Sequence, residues 1–339
     1  DVRKDLLFAG TELGLYISWD GGKQWQSFQL NLPITPITDL RIHQGDLIAA
    51  TSGRSFWILD DLGFLRQYKK ETEITLYKPE DALITNSGSE LDGNSSNGTN
   101  ATRGVNPASG VVLYYNLPEA STKDTIALEI RDAAGNLVRS FSSVADAKYV
   151  SYEGAPPMDP VLSRNKGLNR FVWNMRTATI PGIPNVYIES SYSGHKVPPG
   201  VYTFTLVTKT GKQSTTGTIA ANPLYPTDAA TYQQYHSVMS DMEQKVTTMH
   251  NLINRLDEKR QQLETVLSKL PKGESFTALQ QTGTQLVKEL KAWDEEMVQR
   301  KSKAYDDVEN FPNRFTANYM FLLNQTESDI PRVNQPNLE

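Results

Sequence analysis

The hydrophobic and polar positions of the chain fall into three successive patterns. In residues 1 to about 72, short runs of apolar and β-branched residues are each bounded by Gly, Asp or Ser. Runs of this kind are typical of small antiparallel sheets. From about 108 to 221, apolar and polar positions alternate more regularly. This second pattern predicts a small β-sandwich, because side chains alternate between the two faces of a strand.

The third pattern begins after Pro223 and Pro226, where the hydrophobic period changes from 2 to 3.5. Apolar residues then recur at alternating steps of three and four, which would place them in one stripe along a helix. Arg260 takes one position of this stripe, and Pro271 ends it. The positions seven apart are Tyr235, Met242, Met249, Leu256, Leu263 and Leu270. A stripe of about five heptads predicts one long helix of bundle or coiled-coil type.

Two further helices are predicted after this break. Ser275 is the candidate N-cap of the second helix, whose stripe runs from Phe276 to Met297. Pro312 opens a third, shorter helix. The two long helices are expected to pair antiparallel, and the short one cannot cover the whole stripe of the first. Three methionines of that stripe are therefore expected to contact the β domains or a protein partner, including a second copy of the chain: Met239, Met242 and Met249.

The patterns predict a multidomain β plus α fold. Residues 86–106 are polar and rich in Gly, Ser and Asn, which is typical of a linker or flexible loop. The predicted segments are the β domain 1–72, the linker 73–107, the β-sandwich 108–222, the helical hairpin with its short third helix 226–325, and the tail 326–339.

Composition narrows the functional classes. The hydrophobic fraction of 38% over 339 residues fits several small domains better than one large core. Cysteine is absent, which excludes disulfides, iron–sulfur clusters and thiol nucleophiles. The net charge of −5 comes from acidic and basic residues mixed along the chain, so no nucleic-acid partner is expected. No apolar run is long enough to predict a membrane span, and the first residues lack a signal-peptide pattern.

One motif is specific. Residues 18–25, SWDGGKQW, match the Asp-box pattern Ser-x-Asp-x-Gly-x-x-Trp at every defined position. In such a turn Ser18 and Asp20 accept backbone N–H bonds, and Gly22 permits a left-handed backbone. Trp25 is expected to pack back against the sheet. The motif is therefore predicted to be a folding device without chemistry of its own.

The Asp-box and its flanks, residues 7–11 and 46–62, resemble the last blades of the BNR/Asp-box, sortilin-type β-propellers of large secreted bacterial proteins. The resemblance implies that residues 1–72 are the last blade or blades of a propeller. One box with about one and a half blades cannot close a propeller, so upstream blades of the same protein are an expected partner. It also implies an exported protein that is periplasmic, at the cell surface or extracellular.

The second β pattern resembles a different fold. The turn 132–139 and the segments 167–176 and 198–204 are similar to the Ig-like fold of flagellar-hook-capping proteins and secretion-linked C-terminal domains. The expected architecture is therefore terminal β-propeller blades, an Ig-like β-sandwich and a C-terminal antiparallel helical hairpin or bundle.

No catalytic, metal or cofactor site is predicted. Asp60 and Asp61 are adjacent carboxylates near the end of a predicted strand, and glycoside hydrolysis needs two carboxyl groups. Neighbours on a strand point to opposite faces, so a structural turn role is predicted for both. The histidines are too scattered for a metal site and are expected at the surface or in interfaces: His43, His195, His236 and His250.

Several positions match short modification patterns. The N-glycosylation acceptor pattern is matched at Asn94, Asn97, Asn100 and Asn324. Thr125 lies in an Asp-Thr-aliphatic sequence similar to an O-glycosylation site of some secreted bacterial proteins. Tyr187, Tyr192 and His195 are candidates for a sugar-binding platform in the segment 180–199, with packing of Tyr187 inside the domain as the alternative.

Three functional hypotheses follow. The first is a non-catalytic accessory or scaffold module of an exported protein, whose propeller binds a glycan or peptide ligand and whose helices attach it to a partner. The second is a glycan-active hydrolase, sialidase-like or another glycosidase, with its active site in the upstream blades; proteins of the resembled family are often labelled glycosyl hydrolases. The third is a sortilin-like peptide receptor.

Overall fold

The computed structural model describes residues 3–68, 73–85, 88–93, 104–119, 123–224, 226–271 and 273–327. These residues form fourteen strands, five α-helices and one short 3₁₀ helix, Glu90–Asp92. The chain divides into two compact units. The first contains Asp1–Asn136, Leu162–Asn174 and Val201–Ala220, and the second contains Leu137–Val161, Met175–Gly200 and Ala221–Glu339. The fold is thus a multidomain combination of β-sheets and helices, as predicted.

The N-terminal part of the first unit contains two three-stranded antiparallel sheets and a short helix. Their core contains Leu15, Ile17, Leu47, Leu62 and Phe64, because the buried faces of the strands carry the larger apolar side chains. The elements are β1 (Leu7–Thr11), β2 (Gly14–Ser18), β3 (Gln26–Ser27), β4 (Ile37–His43), β5 (Asp46–Thr51), β6 (Phe56–Leu59) and α1 (Leu62–Gln67).

Two further sheets complete the first unit. One has the order β12-β9-β7, and the other contains β10, β13, β14 and β8 as successive neighbours, with β14 and β8 parallel. Trp173 lies fully buried with its ring edge-on to Tyr202 and Phe204. The strands are β7 (Thr75–Leu76), β8 (Ala82–Leu83), β9 (Val111–Leu117), β10 (Ala127–Arg131), β12 (Gly167–Trp173), β13 (Gly200–Thr208) and β14 (Gly211–Ala220).

The tight turn predicted at residues 132–136 is present. Gly135 has φ 86°, whereas Asn136 does not take a positive φ. Asn136 instead donates its backbone and side-chain N–H groups to the Asp132 carboxylate, at 2.8 and 2.9 Å. The side chain of Asp132 therefore closes the turn.

The second unit contains the strand β11 (Leu137–Ser142) and four helices: α2 (Ala229–Lys269), α3 (Glu274–Met297), α4 (Asp307–Asn310) and α5 (Phe315–Thr326). The N-cap of α2 is Asp228, which accepts from the backbone of Thr231 at 2.7 Å. The N-cap of α3 is Gly273 and not Ser275, which lies inside the helix, so that prediction is wrong. The short α4 was not predicted.

Helices α2 and α3 form the predicted antiparallel hairpin. Glu264 pairs with Lys291 and Asp257 pairs with Arg300, so contacts run in opposite directions along the two helices. A Cβ added at Gly283 would lie 2.6 Å from Leu267 Cδ2. The absence of a side chain at that position therefore allows the helices to approach closely.

The core of the second unit joins α2 to residues 175–200. Met239 is 1% exposed and lies with Tyr235 among apolar side chains of that segment, while Met242 and Met249 are partly buried against the same cluster. The predicted β-sandwich 108–222 included residues 137–161 and 175–200, but both group with the helices. The reason is that segment 175–200 uses its apolar residues to cover the stripe of α2: Ile180, Ile183, Val186, Ile188 and Tyr192.

Candidate functional site

The Asp-box residues form a hydrogen-bonded turn after β2. Ser18 Oγ donates to Asp20 Oδ1 at 2.9 Å and accepts from the Gly22 backbone at 2.9 Å. Asp20 Oδ1 also accepts from the backbone of Gln24 at 2.9 Å. Gly21 and Gly22 have φ values of 73° and 90°, which glycine adopts without a steric cost. These three polar contacts close the turn locally.

Trp25 differs from its expected position. Its side chain is 44% exposed and lies against the turn, where the indole N–H donates to the Gly22 carbonyl at 3.1 Å. Trp19, in an undefined position of the pattern, packs towards the core with its ring 5.1 Å from that of Tyr68. The exposed indole can therefore contact a ligand, whereas Trp19 is structural.

The Asp20→Ala variant is expected to lower the melting temperature by about 2–4 °C at pH 7. Hydrogen bonds from the Gln24 backbone and from Ser18 hold the pKa of Asp20 below its ordinary value of 3.8. A lowered pKa in the folded state stabilises the fold above pH 3.8, and this contribution is lost as the pH falls through the folded-state pKa. The difference from wild type should therefore shrink in acid. An unchanged melting temperature combined with loss of ligand binding would contradict the structural role of the turn.

A group of carboxyl side chains surrounds the start of α1. Asp61 is the N-cap of this helix, has φ 60°, and accepts from the Gly63 backbone at 3.1 Å. Its own N–H donates to Asp46 Oδ1 at 3.0 Å. A Cβ added at Gly63 would lie 2.5 Å from Glu80 Oε1, so the glycine admits a third carboxyl group. The contacts of Asp61 have the geometry of the turn role predicted for it.

These carboxyl groups have perturbed acidities. Burial, followed by the charges of Asp46 and Asp61, raises the pKa of Asp60. Burial likewise raises the pKa of Asp61 and of Glu80. Arg170 lies close enough to oppose this effect at Asp60. A raised pKa favours the protonated form of a carboxyl group, which the sequence pattern alone did not indicate.

Tyr114 belongs to the same group. Burial, followed by the negative charge of Asp61, raises the pKa of its hydroxyl. Its ring stacks on Phe64 with centroids 4.7 Å apart. Arg170 donates to the carbonyl oxygens of Gly93 and Leu91, both at 3.0 Å, which anchors its guanidinium. Carboxyl, phenol and guanidinium groups thus lie within one polar cluster of the first unit.

Asp60→Asn is expected to raise the melting temperature at pH 7 by about 2–4 °C. The pKa of Asp60 is raised in the folded state, so protonation of this carboxyl group stabilises the fold. The stabilisation is fully present below the ordinary pKa of 3.8 and is lost as the pH rises through the folded-state pKa. The gain should therefore vanish in acid. Asp39→Asn, at a carboxylate 60% exposed, is the control. Equal shifts in both variants would contradict the account.

The second unit contains a buried line of polar side chains between α2 and residues 175–200. Glu243 Oε1 lies 2.6 Å from the backbone nitrogen of His195 and 2.9 Å from its Nδ1. Thr177 Oγ1 donates to Glu243 Oε2 at 2.9 Å. On the other side of the ring, His195 Nε2 lies 2.8 Å from Nδ1 of His236. A single hydrogen-bonded line therefore runs from Glu243 through His195 to His236.

This arrangement corrects the expectation for the histidines. His195 and His250 are fully buried, while His43 is exposed. The Glu243 carboxylate fixes His195 with its Nδ1 proton towards α2, as carboxylates orient histidines in many proteins. The line can hold or pass a proton, but its main physical effect is to fasten segment 175–200 to the long helix.

The predicted modification and sugar-binding residues differ in position and in exposure to solvent. Asn94, Asn97 and Asn100 lie outside the described residues. Asn324 lies in α5, where its side chain accepts from the Ser191 backbone at 2.6 Å and donates back to the Ser191 carbonyl. Thr125 is exposed. Tyr192 is 3% exposed and so offers no face to a sugar, whereas Tyr187 is half-buried with its ring edge-on to Tyr305.

A cleft of about 400 Å³ opens in the second unit. It is lined mainly by apolar side chains, among them Phe141, Tyr149 and Met158. Beneath Phe141, the buried Arg139 pairs with Asp159 at 2.5 Å. The cleft is widely open to solvent, so its lining alone does not define a ligand site.

Two classes of site are not formed by the described residues. Nowhere in those ranges do three or more His, Cys, Asp or Glu side chains form a group that could hold a metal ion. Within the same part of the chain, no helix combines the length and the hydropathy required to cross a bilayer.

Comparisons with known proteins give little guidance. The sequence matches no family model and no curated protein. One solved structure with local similarity is PorZ, a bacterial surface component of the type-IX secretion system of Porphyromonas gingivalis. The two share 13% identity over 64% of this chain and 29% of PorZ, with a TM-score of 0.18. This chain therefore spans less than a third of PorZ, and a TM-score this low does not define a shared fold.

Proposed function

We propose that this chain is a non-catalytic accessory module of an exported bacterial protein, and that it works by binding a macromolecular ligand. The observation that carries the proposal is the outer face of the sheet formed by β4, β5 and β6. Phe56 is 73% exposed and Ile58 is 61% exposed on that face. Large apolar side chains in such a position are expected to be covered by a partner.

The register of the sheet makes these side chains one surface. Ile58 lies opposite Ile48, and Phe56 lies opposite Ala50. Cross-strand neighbours of this kind contact each other on the same face. The opposite face carries Leu47, which is buried in the core. We call the four residues Ile48, Ala50, Phe56 and Ile58 the outer apolar face.

The finer architecture is part of the same proposal. Residues 1–72 would be the last blades of an Asp-box β-propeller. The strands of the first unit between residues 108 and 222 would belong to an Ig-like sandwich, which β7 and β8 of the predicted linker join by pairing with β9 and β14. The helical region 226–325 would attach the module to a protein partner or to a second copy of the chain. The hydrogen-bonded Asp-box turn supports the propeller assignment, because it has the local geometry that the motif requires.

The test uses the full chain on glycan and peptide arrays. Phe56→Ser combined with Ile58→Ser should weaken binding at least about tenfold, since exposed aromatic and aliphatic anchors dominate such interfaces. The matched control is Leu279→Ser with Leu286→Ser, at side chains 56% and 46% exposed on α3. The proposal fails if the outer-face variant binds as tightly as wild type.

The carboxyl cluster favours a second candidate function, a glycan-active hydrolase whose site would lie in these residues and not, as the sequence suggested, in upstream blades. Asp60, Asp61 and Glu80 have raised pKa values, and Tyr114 and Arg170 lie beside them. Hydrolysis of a sialoside or another glycan that is lost in Glu80→Gln but kept in Phe56→Ser would establish this alternative. A sortilin-like receptor would instead be indicated by peptide binding alone on the arrays.

A further inference from the structure

Among the described residues of the second unit, six buried polar side-chain atoms have no hydrogen-bond partner, and four of them belong to Tyr152, Tyr192, His250 and Asn254. Tyr192 Oη, His250 Nε2, Tyr152 Oη and Asn254 Oδ1 are all inaccessible to solvent. The side chain of His250 is fully buried and that of Tyr192 is 3% exposed. A buried polar group left unpaired is costly to a fold. Four of them in one unit call for a physical explanation.

Three of the four side chains, those of Tyr152, His250 and Asn254, lie at the peptide that joins Pro181 and Gly182. His250 Nδ1 lies 2.7 Å from the Pro181 carbonyl oxygen, and Asn254 Nδ2 donates to the Gly182 carbonyl oxygen at 2.9 Å. His250 and Asn254 are one helical turn apart on α2, so they share a face. A Cβ added at Gly182 would lie 2.3 Å from Tyr152 Oη, which places that hydroxyl against the same peptide.

The ring of Tyr192 lies beside that of His250. The two ring centroids are 6.4 Å apart. Burial, followed by the electrostatic effect of Tyr152, raises the pKa of the Tyr192 hydroxyl. The two tyrosines therefore interact electrostatically. Burial raises the pKa of Tyr152 to about 12, so both hydroxyls keep their protons and can donate.

The hydrogen-bonding capacity of the four atoms is balanced. His250 donates through Nδ1 to a carbonyl, and burial lowers its pKa, so the ring is neutral and Nε2 is an acceptor. Asn254 Oδ1 is a second acceptor, and the two tyrosine hydroxyls are donors. A ligand that completes the set must donate two hydrogen bonds and accept two.

Water has this capacity, and internal waters usually occupy such places. We infer that Tyr152, Tyr192, His250 and Asn254 form a binding site for internal water at the Pro181–Gly182 peptide of the second unit. The water would bridge three parts of the chain: helix α2, residues 149–161 and residues 175–200. This inference is independent of the proposed function.

The first test compares two single-atom deletions. Tyr192→Phe removes one donor and should lower the unfolding midpoint, because the water loses a partner. Tyr319→Phe, at a tyrosine 40% exposed on α5, is the control and should leave the midpoint unchanged. A hydroxyl that has no partner costs stability, so a raised or unchanged midpoint in Tyr192→Phe would overturn the inference.

The second test separates water from a direct bond between side chains. A high-resolution crystal structure of the full chain should show a water oxygen at about 2.6–3.2 Å from Tyr192 Oη and His250 Nε2. Oxygen-17 relaxation dispersion should count fewer long-lived waters in Tyr192→Phe than in wild type. A direct hydrogen bond between Tyr192 and His250, with equal counts in both proteins, would refute the site.

Discussion

Glu243→Ala is expected to destabilise the second unit by about 3 kcal/mol. The Glu243 carboxylate accepts from the backbone and ring nitrogens of His195 and from the Thr177 hydroxyl. His195 is fully buried, so water cannot replace these bonds in the folded protein. Removing the acceptor leaves three donors unpaired at once. Chemical unfolding monitored by circular dichroism measures the loss.

Two variants separate this effect from a simple loss of charge. Glu243→Gln keeps an acceptor oxygen and should cost about 1 kcal/mol, a smaller amount than the alanine variant. Glu296→Ala removes an exposed acidic side chain from α3 and should change stability by less than about 0.5 kcal/mol. If Glu243→Ala and Glu296→Ala had equal stability, the buried line would have no structural role.

Trp173→Ala is expected to destabilise the first unit by about 4 kcal/mol. The indole is fully buried and contacts the rings of Tyr202 and Phe204, with centroids 5.6 and 6.0 Å away. Its removal leaves a cavity that the paired strands β9 and β12 cannot close without changing register. Denaturant titration would show a lower midpoint.

The matched control is Trp25→Ala, at the exposed tryptophan of the Asp-box. It removes the same side chain but loses one hydrogen bond and little buried area, so we expect a cost of about 1 kcal/mol. Comparable losses in the two variants would show that Trp25 packs in the core, as the sequence motif alone suggested.

The helical region was the most predictable part of the fold. The heptad positions from Tyr235 to Leu270 mark most of α2, which extends from Ala229 to Lys269. A long repeat averages over many residues, so one exception such as Arg260 does not hide it. Single-residue signals were less reliable, as the cap at Gly273 in place of Ser275 shows.

The polar sites were harder to predict because their parts come from distant positions. His195 meets Glu243 and His236 only after residues 175–200 fold onto α2. One signal was present: His236, Glu243 and His250 are seven apart, so they form a polar row beside the apolar stripe. The carboxyl cluster had no comparable signal, since Glu80 reaches Asp61 through space across Gly63.

The proposed binding role of the outer apolar face is tested most directly by site-specific photo-crosslinking. Phe56 is replaced by benzoylphenylalanine in the full chain, produced in its native cells, and Leu279 on α3 is replaced in a parallel sample. Both side chains are more than half exposed. Irradiation should give one discrete adduct with a macromolecular ligand from position 56 and none from position 279. No adduct from position 56, or the same adducts from both positions, would contradict the proposal that this face binds a ligand.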